Sequence, residues 1–294
     1  MPRLFTFGCS YTSYLGGPTW ANFLGLEYEH YENWGIAGIG CRAISERVAE
    51  CHARNNITSD DIVVVQWTSH LRHDYCKFVK DNNYHWRALG SIFAEHNSKT
   101  FTPEWIDKFF DESAYLMHSL NAMISVISLL KSSGCTWYMT SIGDFTKLGG
   151  DLATSQADEN LILATSIEKD FPQFNFYTDR IWKEHAHHWI KPIAIHAIEN
   201  PDTAWRFKDE NGRLSIVDRH PSPVQHVSWL NTYLRPALGL GDAPIEQQRW
   251  LDSINELKAN THDDVNSFWT KLNTQVTEHK YWPDHIWFRP VEGF

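Results

Sequence analysis

A chain of 294 residues with 42% hydrophobic and 14% aromatic content can bury a substantial core, as one large domain or one domain with an appendage. A formal net charge of −10 without any Lys/Arg cluster argues against nucleic acid as a partner. No apolar run reaches the roughly 18 residues of a membrane-spanning helix, and no basic segment precedes a signal-type apolar stretch, so neither membrane insertion nor export is expected and the expected compartment is the cytoplasm.

Pro2–Phe7 reads as a buried strand, and Pro18–Leu26 as a short helix with proline where a first turn tolerates it. Tyr28–Asn33 is a second strand candidate, followed by a glycine-rich turn. Cys41–Arg54 has apolar residues at helical spacing (Ala43/Ile44, Val48, Cys51). Ile62–Val65 is a continuous β-branched run of the kind found in parallel strands covered on both faces. Lys77–Thr100 shows no period and reads as an irregular insertion over about 77–101. Thr102-Pro103 opens a helix, with Glu104 and Asp107 in its first turn, that continues through Leu120–Leu130 to Gly134. Thr136–Ile142 is the next strand. Asp151–Asp170 reads as helical and Ile181–Trp189 as a short helix. Ser222 can cap a helix with Pro223 at its first position and a buried stripe at Val224, Val227, Leu230 and Leu234. Ile245–Leu257 and Val265–Thr277 are amphipathic.

Strands alternating with helices predict an α/β fold with a parallel sheet. The expected organisation is a main domain over residues 1–240 and a helical C-terminal extension over 241–294 packed on it, where an oligomer contact could form. Five cysteines at irregular spacings (Cys9, Cys41, Cys51, Cys76, Cys135) suit reduced thiols, and no Cys-x-x-Cys pair suggests zinc. Fourteen tryptophans serve packing or supply rings that stack on sugars.

Three segments carry chemistry. Leu4–Thr12, LFTFGCSYT, is a strand that stops at Gly8 and delivers Ser10 on a turn at the sheet's carboxyl edge, where ligands of open α/β folds bind. Asn33–Gly40, NWGIAGIG, offers backbone donors. Asp218–His226, DRHPSPVQH, offers an acid and a base. A serine hydroxyl needs a base to remove its proton, a neutral histidine can do so near pH 7, and an aspartate holds the imidazole in the required tautomer.

Together these segments resemble the SGNH/GDSL hydrolase superfamily. Its Gly-Asp-Ser block is matched by Gly8-Cys9-Ser10. Its Asn-x-Gly-x-x-Gly block is matched by Asn33-Trp-Gly35-Ile-Ala-Gly38, and its Asp-before-His-Pro block by Asp218-Arg-His220-Pro221. The resemblance covers about residues 3–235. It implies a three-layer α/β/α fold with a mostly parallel, flavodoxin-like sheet, and a Ser10–His220–Asp218 triad for acyl transfer that needs no cofactor or metal. It also implies an oxyanion site made by the backbone N–H groups of Ser10 and Gly38.

Three departures stand out. Cys9 occupies the family's Asp position; it is a rival nucleophile only if its side chain shares the direction of Ser10. The family's Gly-x-Asn-Asp block is absent after Ile62–Val65, where the chain reads Gln66-Trp67-Thr68-Ser69. Thr68, Ser69 or Gln66 would then replace the third oxyanion donor, Thr68 first. Asp218 and His220 are two residues apart instead of three, a spacing that keeps both on one face of an extended segment. His226, one turn into the next helix, is a second candidate base or a supporting residue.

Tyr11, Asn33, Trp67 and Arg72 are substrate-binding candidates; Trp67 either lines a pocket or plugs the core, and Arg72 either holds a carboxylate or pairs with Asp74. His185, His187, His188 and His196 invite a metal reading, but without a ligand motif such as His-Glu-x-x-His they read as a solvated face. The sequence thus points to a serine esterase or O-acyltransferase acting on a small-molecule or carbohydrate ester. The lost Asn block and the C-terminal arm support a second expectation, an inactive scaffold with a binding or structural role such as a virion component.

Overall fold

The computed structural model describes residues 2–13, 17–78, 84–87, 90–143, 167–215 and 220–277. The apolar run after Pro2 forms β1 (Leu4–Phe7). It leads through helix α1 (Trp20–Gly25) to β2 (Tyr31–Asn33), then through α2 (Cys41–Asn55) to β3 (Ile62–Trp67). Arg3 pins the start of β1 beside β3, its Nε and Nη2 donating to the Asp61 carboxylate at 2.8 and 2.6 Å. After β3 come β4 (Tyr75–Phe78), β5 (Tyr84–Arg87), α3 (Pro103–Phe109), α4 (Glu112–Ser133) and β6 (Thr136–Ser141).

The central sheet is parallel throughout, in the order β2-β1-β3-β6, with Phe7 opposite Val65 and Val65 opposite Met139. Side chains alternate across it, as strand geometry requires. Phe5, Phe7, Val63, Val65, Trp67, Trp137 and Met139 face a core completed by α2 and α4. Leu4 and Val64 face a second core with α1 and the C-terminal helices. Three layers result. The chain leaves β1 toward β2 on one side and returns to β3 on the other, so the β1/β3 carboxyl edge is a topological switch point where a ligand crevice is expected.

Two expectations are corrected here. The stretch after residue 77 contains an antiparallel hairpin, with Tyr75 opposite Arg87 and Phe78 opposite Tyr84. Tyr75-Cys-Lys-Phe78 lacks the polar–apolar alternation that marks a strand, so the hairpin does not show in its sequence. The single helix expected from Pro103 to Gly134 is two, because Phe110 and Asp111 are extended and the Asp111 side chain caps α4 by accepting from Ala114 N–H at 2.8 Å. α4 is 22 residues long and contains an 18-residue stretch of mean hydropathy 1.4, the length and composition of a bilayer-crossing helix. Its buried residues Leu116, Leu120, Met123, Val126, Ile127 and Leu130 fill the first core.

Only 167–170 of the helix expected at Asp151–Asp170 lies in the described residues, as α5 (Ile167–Asp170), followed by α6 (Asn175–Thr178). The helix expected at Ile181–Trp189 is instead a widened turn at Asp179–Lys183 and a tight turn at Ala186–His188. Next come α7 (Ile193–Glu199), the two-residue strands β7 (Phe207–Lys208) and β8 (Leu214–Ser215), α8 (Pro223–Trp229) and α9 (Arg235–Ala237). The described chain closes with α10 (Ile245–Asn260) and α11 (Val265–Thr277). Trp250, Leu251, Ile254, Leu257, Phe268 and Leu272 of these last two helices enter the second core, where Trp250 meets Phe23 at 5.9 Å between ring centroids.

Candidate active site

Ser10 stands on the turn that follows β1. The Cys9 carbonyl accepts from Thr12 N–H at 2.9 Å and Ser13 N–H at 2.8 Å, which reverses the chain at Ser10. A Cβ at Gly8 would run into the Thr12 hydroxyl and stand 3.0 Å from Gln66 Cβ, so only glycine lets the turn close against β3. The Thr12 carbonyl is held from two sides, by the Thr19 hydroxyl at 2.7 Å and Asn33 Nδ2 at 2.8 Å. Thr12 Oγ1 in turn donates to Gln66 Oε1 at 2.6 Å. Cys9 is fully buried in the first core, with its Sγ 3.9 Å from Ser10 Oγ.

His220 arrives from 210 residues downstream, with its Nε2 2.6 Å from Ser10 Oγ. The Tyr11 ring lies 4.9 Å from the imidazole, centroid to centroid. The segment after His220 is fixed by a capping box on α8, with Ser222 N–H donating to Gln225 Oε1 at 2.9 Å and Gln225 N–H to Ser222 Oγ at 3.2 Å. The Ser222 hydroxyl also donates to the Thr203 carbonyl at 2.7 Å. Asp218 lies outside the described residues.

His226 occupies the interior of α8, buried, with Nδ1 lacking any hydrogen-bond partner among the described residues. Burial, and secondarily the nearby His220, push its pKa down to about 3. The unfolded chain therefore takes up a proton at this residue between its ordinary value of 6.5 and about 3, and the folded chain does not. Stability contributed this way is present above that window and is lost as pH falls through it. His226→Gln is expected to shrink the drop in Tm between neutral and mildly acidic buffer, read by calorimetry; an unchanged drop contradicts the assignment.

The glycine-rich segment lies against the same turn. Ile36 N–H donates to the Gly8 carbonyl at 3.0 Å, and Trp34 N–H to the Thr6 carbonyl at 2.7 Å. Gly38 has φ +81°, a left-handed conformation that glycine adopts without strain, and its carbonyl accepts from Gly90 N–H at 2.9 Å. At the end of β3 and just beyond it, Gln66 Nε2 and Thr68 Oγ1 are buried without a hydrogen-bond partner among the described residues. Ser69 Oγ accepts from Leu71 N–H at 3.1 Å. Buried donors left unpaired are costly and rare.

The other candidates fall in different places. Asn33 is buried and both ends of its amide serve the backbone, Nδ2 on Thr12 and Oδ1 accepting from Gly35 N–H at 2.9 Å. It staples two chemical segments together. Asn33→Ala is expected to cost about 1–3 kcal/mol of stability, because the Thr12 carbonyl and the Gly35 N–H both lose a buried partner. Chemical denaturation that shows no loss contradicts this role. Trp67 is fully buried in the first core, its Nε1 directed at Met139 Sδ at 3.4 Å. Arg72 donates through Nη1 to the Ile39 carbonyl at 2.8 Å, next to Gly38. Asp74 caps α2 by accepting from Gly40 N–H at 2.7 Å and Ala43 N–H at 3.1 Å. That cap, formed across more than thirty residues, was not visible in the sequence.

His188 stacks on Trp137 at 3.6 Å between centroids, with Nδ1 donating to the Trp137 carbonyl at 2.8 Å. His196 Nε2 is 3.1 Å from Ser228 Oγ. Among the described residues no group of three or more His, Cys, Asp or Glu side chains is placed to hold a metal ion.

No protein-family model matches the sequence, and no curated protein is significantly similar to it. Among solved structures, the chain is similar to a member of the lipolytic G-D-S-L family from Veillonella parvula, with 14% identity, 79% of this chain and 95% of that chain covered, and a TM-score of 0.41. It is similar to a catalytic mutant of an acetylxylan esterase from Geobacillus stearothermophilus, with 14% identity, 82% and 95% coverage and a TM-score of 0.43. A gut microbial diltiazem-metabolizing enzyme gives 15% identity, 81% and 47% coverage and a TM-score of 0.43.

Proposed function

We propose that the protein is a serine-type acyl-transfer enzyme that cleaves short acyl esters, with Ser10 as nucleophile and His220 as base. The observation that carries this reading is the 2.6 Å approach of His220 Nε2 to Ser10 Oγ at the carboxyl edge of β1. Hydrogen-bond reach between nucleophile and base is the geometric requirement for activating a hydroxyl.

In the reaction, Ser10 Oγ attacks the ester carbonyl carbon while its proton passes to His220 Nε2. The tetrahedral oxyanion collapses, the ester C–O bond breaks, and His220 returns the proton to the departing alkoxide as the free alcohol. Water repeats the sequence on the acyl-Ser10 ester; an acceptor hydroxyl in its place makes the reaction a transfer. Asp218, by its position in the sequence, is the group assigned to orient His220. The N–H groups of Ser10 and Gly38 are assigned to the oxyanion, since a left-handed glycine leaves its backbone open to close approach.

The third donor is assigned to Thr68, whose buried hydroxyl has no other hydrogen-bond partner among the described residues. Thr68→Val, which keeps the shape, is expected to lower kcat by about 10²–10³ with little change in KM. An equal loss for Gln66→Leu, with Thr68→Val silent, would move the role to Gln66.

An acylated sugar is the substrate class. Trp105, half-buried on α3, is the ring we assign to stack on it, whereas Trp20, Trp34, Trp67 and Trp229 are wholly spent on the cores. Pre-steady-state hydrolysis of a nitrophenyl acyl ester tests the reading: an initial burst of about one nitrophenol per chain, followed by slower turnover, marks an acyl-enzyme. Absence of both burst and turnover from the folded protein contradicts it.

A further inference from the structure

A cavity of about 440 Å³ opens between α2, α3 and α4, within the range of small-molecule sites. Its described lining carries two arginines and three histidines against one carboxylate, Asp74. Trp105 and Phe109 form one wall. They stand four apart on α3, a helix with no fully buried residue, and Phe109 is 58% exposed. Such spacing puts both rings on one face of the helix. His73 holds this wall in place, its ring 5.4 Å from that of Trp105 and its Nδ1 2.8 Å from the Tyr115 hydroxyl.

The polar groups of the cavity are not equally engaged. Both Asp74 oxygens are turned onto the backbone N–H groups that open α2. Arg42, at the rim, is paired with Glu46 at 2.9 Å. Arg72 spends Nη1 on the Ile39 carbonyl, but its Nε is buried with no partner among the described residues. Arg72 itself lines the cavity, half-buried, and a guanidinium offers its donors in a planar fork that matches a carboxylate. The cavity also adjoins the acyl-transfer site: Arg72 grips the residue after Gly38, and Cys41 of the lining donates from Sγ to the Thr68 carbonyl at 3.1 Å.

We infer that this cavity receives the ring of the substrate and that the ring carries a carboxylate, bound by Arg72 with Trp105 and Phe109 against its face. The word substrate rests on the acyl-transfer reading of Ser10; the binding site does not. Two chemistries share these features, a sugar acid and an aromatic acid, and the test separates them.

Calorimetric titration of the full-length Ser10→Ala protein with glucuronate, glucose, benzoate and benzyl alcohol measures binding without turnover. The expected result is that one acid binds about tenfold or more tightly than its neutral counterpart. Glucuronate as the tighter acid identifies a sugar acid, and benzoate an aromatic one. Arg72→Gln should erase the acid-over-neutral preference, Arg72→Lys should retain part of it, and Trp105→Ala should weaken acid and neutral ligands alike. A purely structural role for Arg72 would lower all four affinities together and leave their ratio intact. Equal binding of acid and neutral ligands, a preference that survives Arg72→Gln, or no binding by any of the four overturns the inference. Should Arg72→Gln fail to fold, the unsubstituted cavity and Arg72→Lys decide it. Fluorophosphonate labelling of the protein with Ser10 intact keeps the two readings apart: labelling without acid binding defeats the cavity alone, and acid binding without labelling defeats Ser10 alone.

Discussion

Replacing Ser10 with alanine is expected to lower turnover of a short acyl ester by about 10⁴–10⁶. The Oγ atom is the only group at this position that can form the acyl ester, and alanine differs from serine by that atom alone. Ser10 is 9% exposed and lies on a turn built from backbone groups of Cys9, Thr12 and Ser13, none of which needs its hydroxyl. The variant should therefore fold as before, losing about 1 kcal/mol or less from the bond to His220. Kinetics and thermal melting then diverge, which is the signature of a nucleophile and not of a packing residue. Cys9→Ala makes the contrast: its thiol fills the first core, so stability should fall while ester cleavage persists. The opposite pattern would move the nucleophile to Cys9.

The second large effect separates the two histidines. His220→Gln removes the base from Ser10 Oγ and is expected to cost about 10⁴–10⁶ in kcat, nearly as much as the loss of Ser10, because nucleophile and base act as a unit. The double variant should be little worse than either single one. His226→Gln should instead leave kcat within about tenfold and cost about 1–3 kcal/mol of stability, since it alters a buried imidazole while leaving the His220–Ser10 hydrogen bond in place. Were His226→Gln the more damaging of the two to kcat, His226 would be the base and His220 its support.

What could be read from the sequence follows the range of the forces involved. Phe5, Phe7 and Val63–Val65 announced buried parallel strands because continuous apolar runs have few other uses, and Ser222-Pro223 announced a helix start through a local cap. The segments bearing Ser10 and His220 were visible for the same reason, since a strand ending in glycine and a short polar turn before a capped helix are local patterns. The break at Asp111 was hidden because either a continuous helix or a fresh cap satisfies the same residues. The hairpin at Tyr75–Arg87 was hidden because Tyr75-Cys-Lys-Phe78 lacks the alternation that marks a strand. Asn33 looked like a ligand group and is a staple between segments twenty-one residues apart. Asp74 as the cap of α2, and the cavity wall of Trp105 and Phe109, depend on contacts across thirty or more residues that no local pattern encodes.

Reaction of the intact protein with a fluorophosphonate, followed by peptide mass spectrometry, asks the decisive question in one step. The phosphonyl group should appear on Ser10, approach one per chain, and vanish in His220→Gln at equal time. Folded protein that takes up no label, or carries it on another residue with Ser10 unmodified, would contradict the pairing on which the catalytic account stands.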